Sequence, residues 1–293
     1  MTVIATNPTS VYVPQTPASQ ALSIQSDVET ARTNKDAARP AVSAAPESLN
    51  AVISNPRVSA AVQKTLLQYQ TSGSVFETDT RSQMARRGVS EETQSRFVHI
   101  VQEAASSGAY DDPITYIRSL PSEDIEVLRQ IHCLAETSGV TSVSTEEGAL
   151  NLLLPRAQQV DTNNDGLVTT GIANGFRVPP PNAPQAVKDA WNEMTKGMSL
   201  SDRLKAEAPF LLAHLTANLK TNSDGQVIGI YTPGDAEYKN PFGTSVSEWN
   251  TLLSDMIRQY TGDGNPDASA RKHIDVLTRF RDLIQQTGAD ARV

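Results

Sequence analysis

Apolar residues recur at helical spacing through most of the chain after Pro56. The first stripe is Val58, Val62 and Leu66, and Gly73 follows it as a stop signal. The pattern predicts a run of amphipathic helices. The later stripes are Phe97, Ile100 and Val101; Val127, Leu128, Ile131 and Leu134; Leu204, Ala208, Leu211, Leu212, Leu215 and Leu219; and Ile274, Leu277, Phe280 and Ile284, which precede Gly288.

Helix-start signals stand before several stripes. Ser144 with Glu147, and Ser245 with Glu248, have the spacing of a capping box, in which a hydroxyl and a carboxylate satisfy free backbone amides. Glu146 and Glu147 are thereby explained as residues of a first helical turn, where negative charge suits the helix dipole. Strand character is confined to the region around residues 226–231, where β-branched and aromatic residues gather.

These patterns predict an all-α fold in three parts. Residues 1–55, rich in Ser, Thr, Ala and Pro, are expected to be a disordered tail. Residues 56–139 are expected to form an N-terminal helical portion. Residues 140–293 are expected to form a duplicated portion that ends in a C-terminal helix. Whether the two helical portions share one core is left open by the pattern.

The duplication rests on a constant shift along the chain. The shift that takes Asp165 to Asp224 also takes Gly166 to Gly225. We interpret the two stretches, roughly residues 145–198 and 204–256, as the same unit written twice. The further pairs are Ala149 with Ala208, Leu152 and Leu153 with Leu211 and Leu212, Val160 with Leu219, Val168 with Val227 and, after one residue of slippage, Trp191 and Asn192 with Trp249 and Asn250.

The first unit carries oxygen-bearing side chains at alternate places of a turn. Asp161, Asn163 and Asp165 stand at the first, third and fifth places, and Gly166 stands at the sixth. This turn resembles the calcium-binding loop of the EF-hand family, in which such oxygens surround the ion and the glycine permits the sharp turn.

The resemblance implies more ligands and a paired loop. The Leu167 carbonyl and Thr169 would take the seventh and ninth ligand places, the latter directly or through water. Val168 and Val227 would join the two loops through a short strand contact.

The departures from the family pattern weaken the expected site. Ile172 stands where the family has a bidentate glutamate, so another carboxylate or water would have to complete the shell. Three prolines, Pro179–Pro181, oppose an immediate exiting helix. Lys220 replaces the first aspartate of the second loop, and its ammonium would repel a cation. We therefore expect one weak, structural calcium site.

A third run has similar spacing without the glycine. It consists of Asp263, Asn265 and Asp267, with Pro266 between the last two. This run is expected to be a loop with a helix cap.

Composition narrows the class of protein. The net charge of −8 and the pI near 5.1 disfavour a broad attraction to nucleic acid. No apolar run is long enough for a membrane span, and residues 1–20 lack the pattern of a cleaved signal peptide. A single cysteine, Cys133, excludes an internal disulfide and fits a cytoplasmic location. Export without a cleaved signal, suggested by the serine-rich start, is the alternative location.

No catalytic set emerges from the sequence. His132 and Cys133 are neighbours, and neighbours on a helix point about 100° apart, which disfavours a nucleophile–base pair. His132 and His214 each lie on an apolar stripe and are expected at the edge of a core. Trp191 and Trp249 are expected to be equivalent core anchors.

Three functions remain as hypotheses from this sequence. The leading one is a non-enzymatic calcium-binding or calcium-stabilised interaction module with an unknown protein partner. The second is a metal-independent helical scaffold, or an effector secreted by a type III-like machine. The third is a hydrolase whose site is assembled from residues far apart in the chain.

Overall fold

The computed structural model describes residues 60–76, 78–262 and 264–290. The predicted tail, Val58 and Asp263 lie outside these ranges. The helices are α1 Ala60–Ser72, α2 Thr78–Arg86, α3 Glu91–Ser107, α4 Pro113–Ser119, α5 Ser122–His132, α6 Ser138–Thr141, α7 Glu146–Leu152, α8 Gln185–Thr195, α9 Leu200–Ala217, α10 Val246–Thr261 and α11 Ala268–Asp290, with a 3-10 turn at Arg156–Gln158. The strands are β1 Leu167–Thr170, β2 Ala173–Phe176, β3 Leu219–Thr221 and β4 Val227–Ile230.

The molecule is mostly helical, as expected, with two small antiparallel hairpins in the described ranges. The strand predicted near residues 226–231 is present as β4. The contact predicted between the two loops is not found, because Val168 pairs with Gly175 and Val227 pairs with Thr221. Each strand pairs with its neighbour along the chain, and no strand pairing joins the two hairpins in the described ranges.

The helix–loop–helix duplication is not confirmed. The Asp161 turn leads into the β1–β2 hairpin, and Ile172 lies at the exposed tip of that hairpin. Gly171 at the tip has a φ of +61°, which suits the reversal of the chain. The second turn instead lies inside a hairpin and joins β3 to β4. As the prolines predicted, no helix follows the first turn directly, and α8 begins only at Gln185.

The first hydrophobic core joins α1 to α7. Val62 and Leu66 from α1 are buried in it, together with Phe97 from α3 and Leu128 from α5. Leu154, just past α7, is the last residue of this cluster. This core therefore contains residues from both of the predicted helical portions, 56–139 and 140–293.

The second core is aromatic. Trp191 from α8 and Trp249 from α10 are both buried and both contact Phe210 of α9 and Phe280 of α11, with ring centroids 5.2 to 6.2 Å apart. The two tryptophans are core anchors, as expected. The buried residues of this cluster run from Val178 to Ile284, and Phe176 of β2 packs against them. The Asp161 turn and the rest of the β1–β2 hairpin therefore lie in the chain between the two cores.

Two local expectations are corrected. The start of α7 is capped by Thr145, whose hydroxyl accepts the Gly148 amide at 3.1 Å, and not by Ser144. Glu147 is therefore not part of a capping box, whereas Ser245 and Glu248 do form one on α10. Helix α11 extends past the predicted apolar stripe and includes Gly288, ending at Asp290.

The leucine-rich face of α9 is exposed to solvent. Leu204 and Leu211 are 56% and 42% exposed, whereas Phe210 and His214 of the same helix are buried. The leucine stripe was expected to be a core face, but the aromatic cluster takes Phe210 inward and turns the leucines out. The exposed stripe comprises Leu200, Leu204, Leu211, Leu212 and Leu215.

None of the helices in the ranges above is both long enough and apolar enough to cross a membrane.

Candidate metal site in the Asp161 turn

The predicted ligands Asp161, Asn163 and Asp165 lie together in one tight turn ahead of β1. Asp161 and Asp165 are buried, with 3% and 9% of their surfaces exposed. Asn164 and Gly166 have positive φ angles of 56° and 83°, the left-handed geometry that such a turn requires. The glycine is also needed for space, because a Cβ there would lie 2.6 Å from the Asn240 side-chain oxygen.

The Asp161 carboxylate organises the backbone of the turn. Its Oδ1 accepts the Asp165 amide at 3.1 Å, and its Oδ2 accepts the Gly166 amide at 2.9 Å. Burial raises the pKa of Asp161 to about 6, from an ordinary value of 3.8; the Gly166 amide opposes the rise, and the charges of Asp165 and Glu147 add to it. The carboxylates of Asp161, Asp165 and Glu147 therefore repel one another in this buried turn.

The Asn163 and Asp165 side chains complete the turn. The Asn163 Oδ1 accepts the Asp165 amide at 3.0 Å, and its Nδ2 donates to Asp165 Oδ2 at 3.0 Å. Asp165 Oδ1 accepts the Leu167 amide at 2.8 Å. Carboxylate and amide oxygens are the donors that calcium prefers, and each has more than one lone-pair direction.

A third carboxylate, Glu147, reaches the turn from α7. Its Oε2 accepts the Thr162 amide at 2.7 Å and the Thr162 hydroxyl at 3.0 Å, and its Oε1 accepts the Thr169 amide at 2.8 Å. Glu147 therefore ties α7 to both ends of the segment that holds the candidate ligands. Both of its oxygens are committed to these contacts.

Close packing of two glycines lets α7 approach the hairpin. The Gly171 amide donates to the Gly148 carbonyl at 2.9 Å. A Cβ on Gly148 would lie 2.3 Å from the Gly171 carbonyl oxygen, which leaves no room for a side chain. This contact helps to fix the hairpin beside Glu147.

Residues from the second half of the chain hold the other side of the turn. The Tyr238 hydroxyl donates to the Asp165 carbonyl at 2.9 Å, and the Asn240 amide donates to the Asn164 carbonyl at 2.9 Å. The Asn182 amide donates to the Asp161 carbonyl at 2.7 Å. The turn is thus held by hydrogen bonds to Glu147 on the side of the first core and to Tyr238, Asn240 and Asn182 on the side of the second core.

His214 of α9 contacts the Tyr238 hydroxyl from the side of the second core. Its ring is buried and stacks on Phe242, with centroids 6.1 Å apart, and its Nε2 lies 3.3 Å from the Tyr238 hydroxyl oxygen. Burial lowers the pKa of His214, opposed by the charge of Asp165. Burial raises the pKa of Tyr238 to about 12, and the charges of Asp165 and Asp161 act in the same direction. A neutral phenol is the state needed to donate to Asp165.

The other two predicted ligands are placed less favourably. The Thr169 hydroxyl donates to Asn174 Oδ1 across the hairpin at 3.0 Å. Leu167 begins β1 and pairs with Phe176. Across the part of the chain that the structure describes, no group of three or more His, Cys, Asp or Glu side chains is arranged to hold a metal. A cation in this turn would depend on two carboxylates, the Asn163 amide, carbonyl oxygens and water.

The second turn has no comparable chemistry. Asn222 Oδ1 accepts the Asp224 and Gln226 amides at 3.1 and 2.8 Å, which is an ordinary Asn-based turn. Lys220 forms an ion pair with Asp235 at 3.3 Å and lies over the Tyr231 ring. Of the third run, Asp267 accepts the Ala270 amide at 2.8 Å and caps α11, as expected.

Sequence reasoning missed the residues that hold the turn from outside. Glu147 had a sufficient local explanation as a helix-start residue, so its long-range contact gave no separate signal. Asn182, Tyr238 and Asn240 lie in segments without regular periodicity, and nothing in their local pattern points to the turn.

Comparison with protein-family models, with curated proteins and with solved structures finds no match to this chain.

Proposed function

We propose that this chain is a non-enzymatic interaction module in which the Asp161 turn takes a structural calcium ion. The observation that carries the proposal is the place of the turn, where oxygen donors from Asp161, Asn163 and Asp165 lie between elements of the two cores. A cation there would offset the mutual repulsion that helps to raise the Asp161 pKa. It would also strengthen the junction that Glu147 and Tyr238 form.

The expected role is structural rather than regulatory. Ile172, at the twelfth place of the loop, lies at an exposed hairpin tip. No glutamate is present there to pull on a following helix. With few carboxylates, the affinity is expected toward the weak, roughly millimolar end of the range for oxygen-ligated calcium sites.

Calorimetric titration of calcium into chelator-treated protein tests the proposal. We expect saturable binding in the parent that is lost in Asp165→Ala. The matched control is Asp224→Ala, which removes the equivalent, exposed carboxylate of the second turn and should leave binding unchanged. Absence of binding at calcium concentrations well above the millimolar range expected for its affinity, or equal binding in both variants, would overturn the proposal.

The second candidate is a metal-independent scaffold that assembles through the leucine stripe of α9. Every side-chain oxygen of Asp161 and Asp165 already accepts a hydrogen bond from the chain, which favours a turn that forms without an ion. The next hairpin along the chain, β3–β4, also exposes apolar residues. The exposed apolar residues there are Leu219, Val227, Ile228 and Ile230.

We propose a second copy of this chain as the occupant of that face. Nine large apolar residues on α9 and the β3–β4 hairpin are more than a third exposed, and exposed apolar residues in such number are typical of a surface that another molecule covers. Two identical apolar faces can cover each other in a twofold pair.

Sedimentation equilibrium, with and without chelator, separates the two candidates. A dimer that persists in chelator and dissociates in Leu204→Ser/Leu211→Ser would support the scaffold. Leu67→Ser, at a half-exposed leucine of α1, is the control and should leave the dimer intact. A monomer at all concentrations would exclude self-assembly through this face.

Export without a cleaved signal and a cytoplasmic location both remain predictions, since they depend on residues 1–59, outside the described ranges. The hydrolase hypothesis gains nothing from the Asp161 turn, because its carboxylates accept hydrogen bonds from backbone amides and from the Asn163 side chain.

A further inference from the structure

A second polar site lies on the other side of the β1–β2 hairpin. A cleft of about 270 Å³ opens between the ends of α2 and α5, the 3-10 turn and the hairpin. Its lining includes the arginines Arg87, Arg156 and Arg177, together with His132 and Cys133. No aspartate or glutamate is among its described lining residues.

The cationic groups of this cleft lack acidic partners. Within the described ranges, none of the three arginines has a carboxylate oxygen within 4.0 Å. The net charge of the chain is −8, so the absence of carboxylates here is a local departure from the composition. A buried or half-buried guanidinium without a counter-charge is costly unless a ligand supplies one.

Arg177 is the central cation. Its guanidinium is only partly exposed and donates to the Arg156 carbonyl and to the Gln159 side-chain oxygen. Both acceptors are neutral, so they orient the group without neutralising it. Burial and, to a smaller extent, the charge of Arg156 together lower the pKa of Arg177 to about 9. An anion beside these two arginines would relieve both effects.

Arg87 adds a cation at the mouth of the cleft. Its side chain is exposed, and its Nη1 lies 2.6 Å from the Cys133 sulfur. Cys133 is the only cysteine of the chain and is itself exposed. It ends α5 with a left-handed φ of +56°, which places it beside Arg87.

We propose that this arginine cleft binds the phosphate group of a small molecule. Three guanidinium groups match an oxyanion with two charges better than a single carboxylate, because their planar forks bind phosphate oxygens in pairs. A cleft of about 270 Å³ is near the lower limit of small-molecule pockets, roughly 300 Å³, which suits a phosphate or a small phosphate monoester. The proposal does not depend on calcium in the Asp161 turn.

The test measures binding of inorganic phosphate and of glycerol phosphate by calorimetry at constant ionic strength, with acetate and chloride as comparison anions. We expect saturable binding of the two phosphates and weaker or no binding of acetate. Arg87→Gln should weaken phosphate binding about tenfold, the loss expected for one charged hydrogen bond. Arg86→Gln, which changes the adjacent exposed arginine outside the cleft lining, is the matched control and should bind like the parent.

Cys133 provides a second, local readout. Phosphate at a concentration that saturates the cleft should slow modification of the Cys133 thiol by an aromatic disulfide reagent, and chloride at the same ionic strength should not. Arg177→Gln should abolish both the phosphate binding and the protection of Cys133. If it unfolds the protein, Arg87→Gln still decides the question. Equal affinities in the parent and Arg87→Gln, or no saturable phosphate binding, would overturn the proposal. In the second case Arg177 is only a structural clamp between Arg156 and Gln159.

Discussion

The Tyr238 hydroxyl donates to the backbone carbonyl oxygen of Asp165 at 2.9 Å. The two residues are far apart in the sequence, and their contact joins the candidate metal turn to the segment ahead of α10. His214 of α9 lies 3.3 Å behind the same hydroxyl. The turn is therefore held by the second core through a phenol that is itself positioned by a buried histidine.

Removing this hydroxyl should loosen the junction between the cores. We expect Tyr238→Phe to lower the free energy of unfolding by about 1 kcal/mol, because the Asp165 carbonyl loses a partner while the ring is kept. Urea denaturation measures the change. Tyr231→Phe is the control, since the Tyr231 ring contacts Lys220 through its face rather than its hydroxyl. Equal losses in the two variants would show that the Tyr238 hydroxyl has no special role.

Glu147 should matter more than its position in the first turn of a helix implies. Its carboxylate accepts bonds from Thr162 and Thr169, and the amide of a glutamine keeps only one acceptor oxygen. We expect Glu147→Gln to destabilise the protein by about 1–3 kcal/mol, measured by urea denaturation. Glu146→Gln, at the exposed neighbouring position, should change stability little. If both variants behave alike, the contribution of Glu147 is only the helix-dipole effect.

Features set by near neighbours in sequence could be predicted well. Gly73 follows the end of α1, and Ser245 with Glu248 caps α10. The turn around Asp161 was also found, because Asx turns and glycine geometry depend on residues a few places apart. These interactions need no knowledge of the rest of the chain.

Features set by tertiary packing could not be predicted. Glu147 fits a capping box as well as it fits the Asp161 turn, and only the approach of α7 to the hairpin decides between them. The pairing of Val168 with Val227 failed for a similar reason, since each strand found a local partner. Likewise, nothing near Tyr238 in the sequence indicates that its hydroxyl reaches Asp165.

The orientation of α9 can be tested directly, because substitutions at the neighbouring residues Phe210 and Leu211 should change stability by different amounts. Phe210→Ala removes a buried ring from the aromatic core and should cost about 3–5 kcal/mol. Leu211→Ser changes a side chain that is 42% exposed and should alter the stability of the monomer by no more than about 0.5 kcal/mol. Urea denaturation at a concentration where the chain is monomeric gives both values. A large loss of unfolding free energy in Leu211→Ser would show that the leucine stripe is part of the core.

His132 should make stability depend on pH. Its ring packs edge-on against Phe97, and its Nε2 lies 2.9 Å from the Leu152 carbonyl oxygen. Burial lowers the pKa of His132 from 6.5 to about 4; the Leu152 carbonyl opposes this shift, and the charge of Arg177 adds to it. The folded ring therefore stays neutral at pH values where the unfolded ring already takes up a proton.

The sign of the effect follows from this difference in protons bound. The stability that His132 contributes is fully present above a pH of about 6.5 and is lost as the pH falls toward about 4, by on the order of 1–3 kcal/mol. Urea denaturation across this range should show a smaller decline for His132→Asn than for the parent, because the variant cannot take up the proton. His99→Asn, at an exposed histidine of α3, controls for the loss of an imidazole as such. Parallel declines in the parent and His132→Asn would mean that other groups, and not this ring, set the acid limit of the fold.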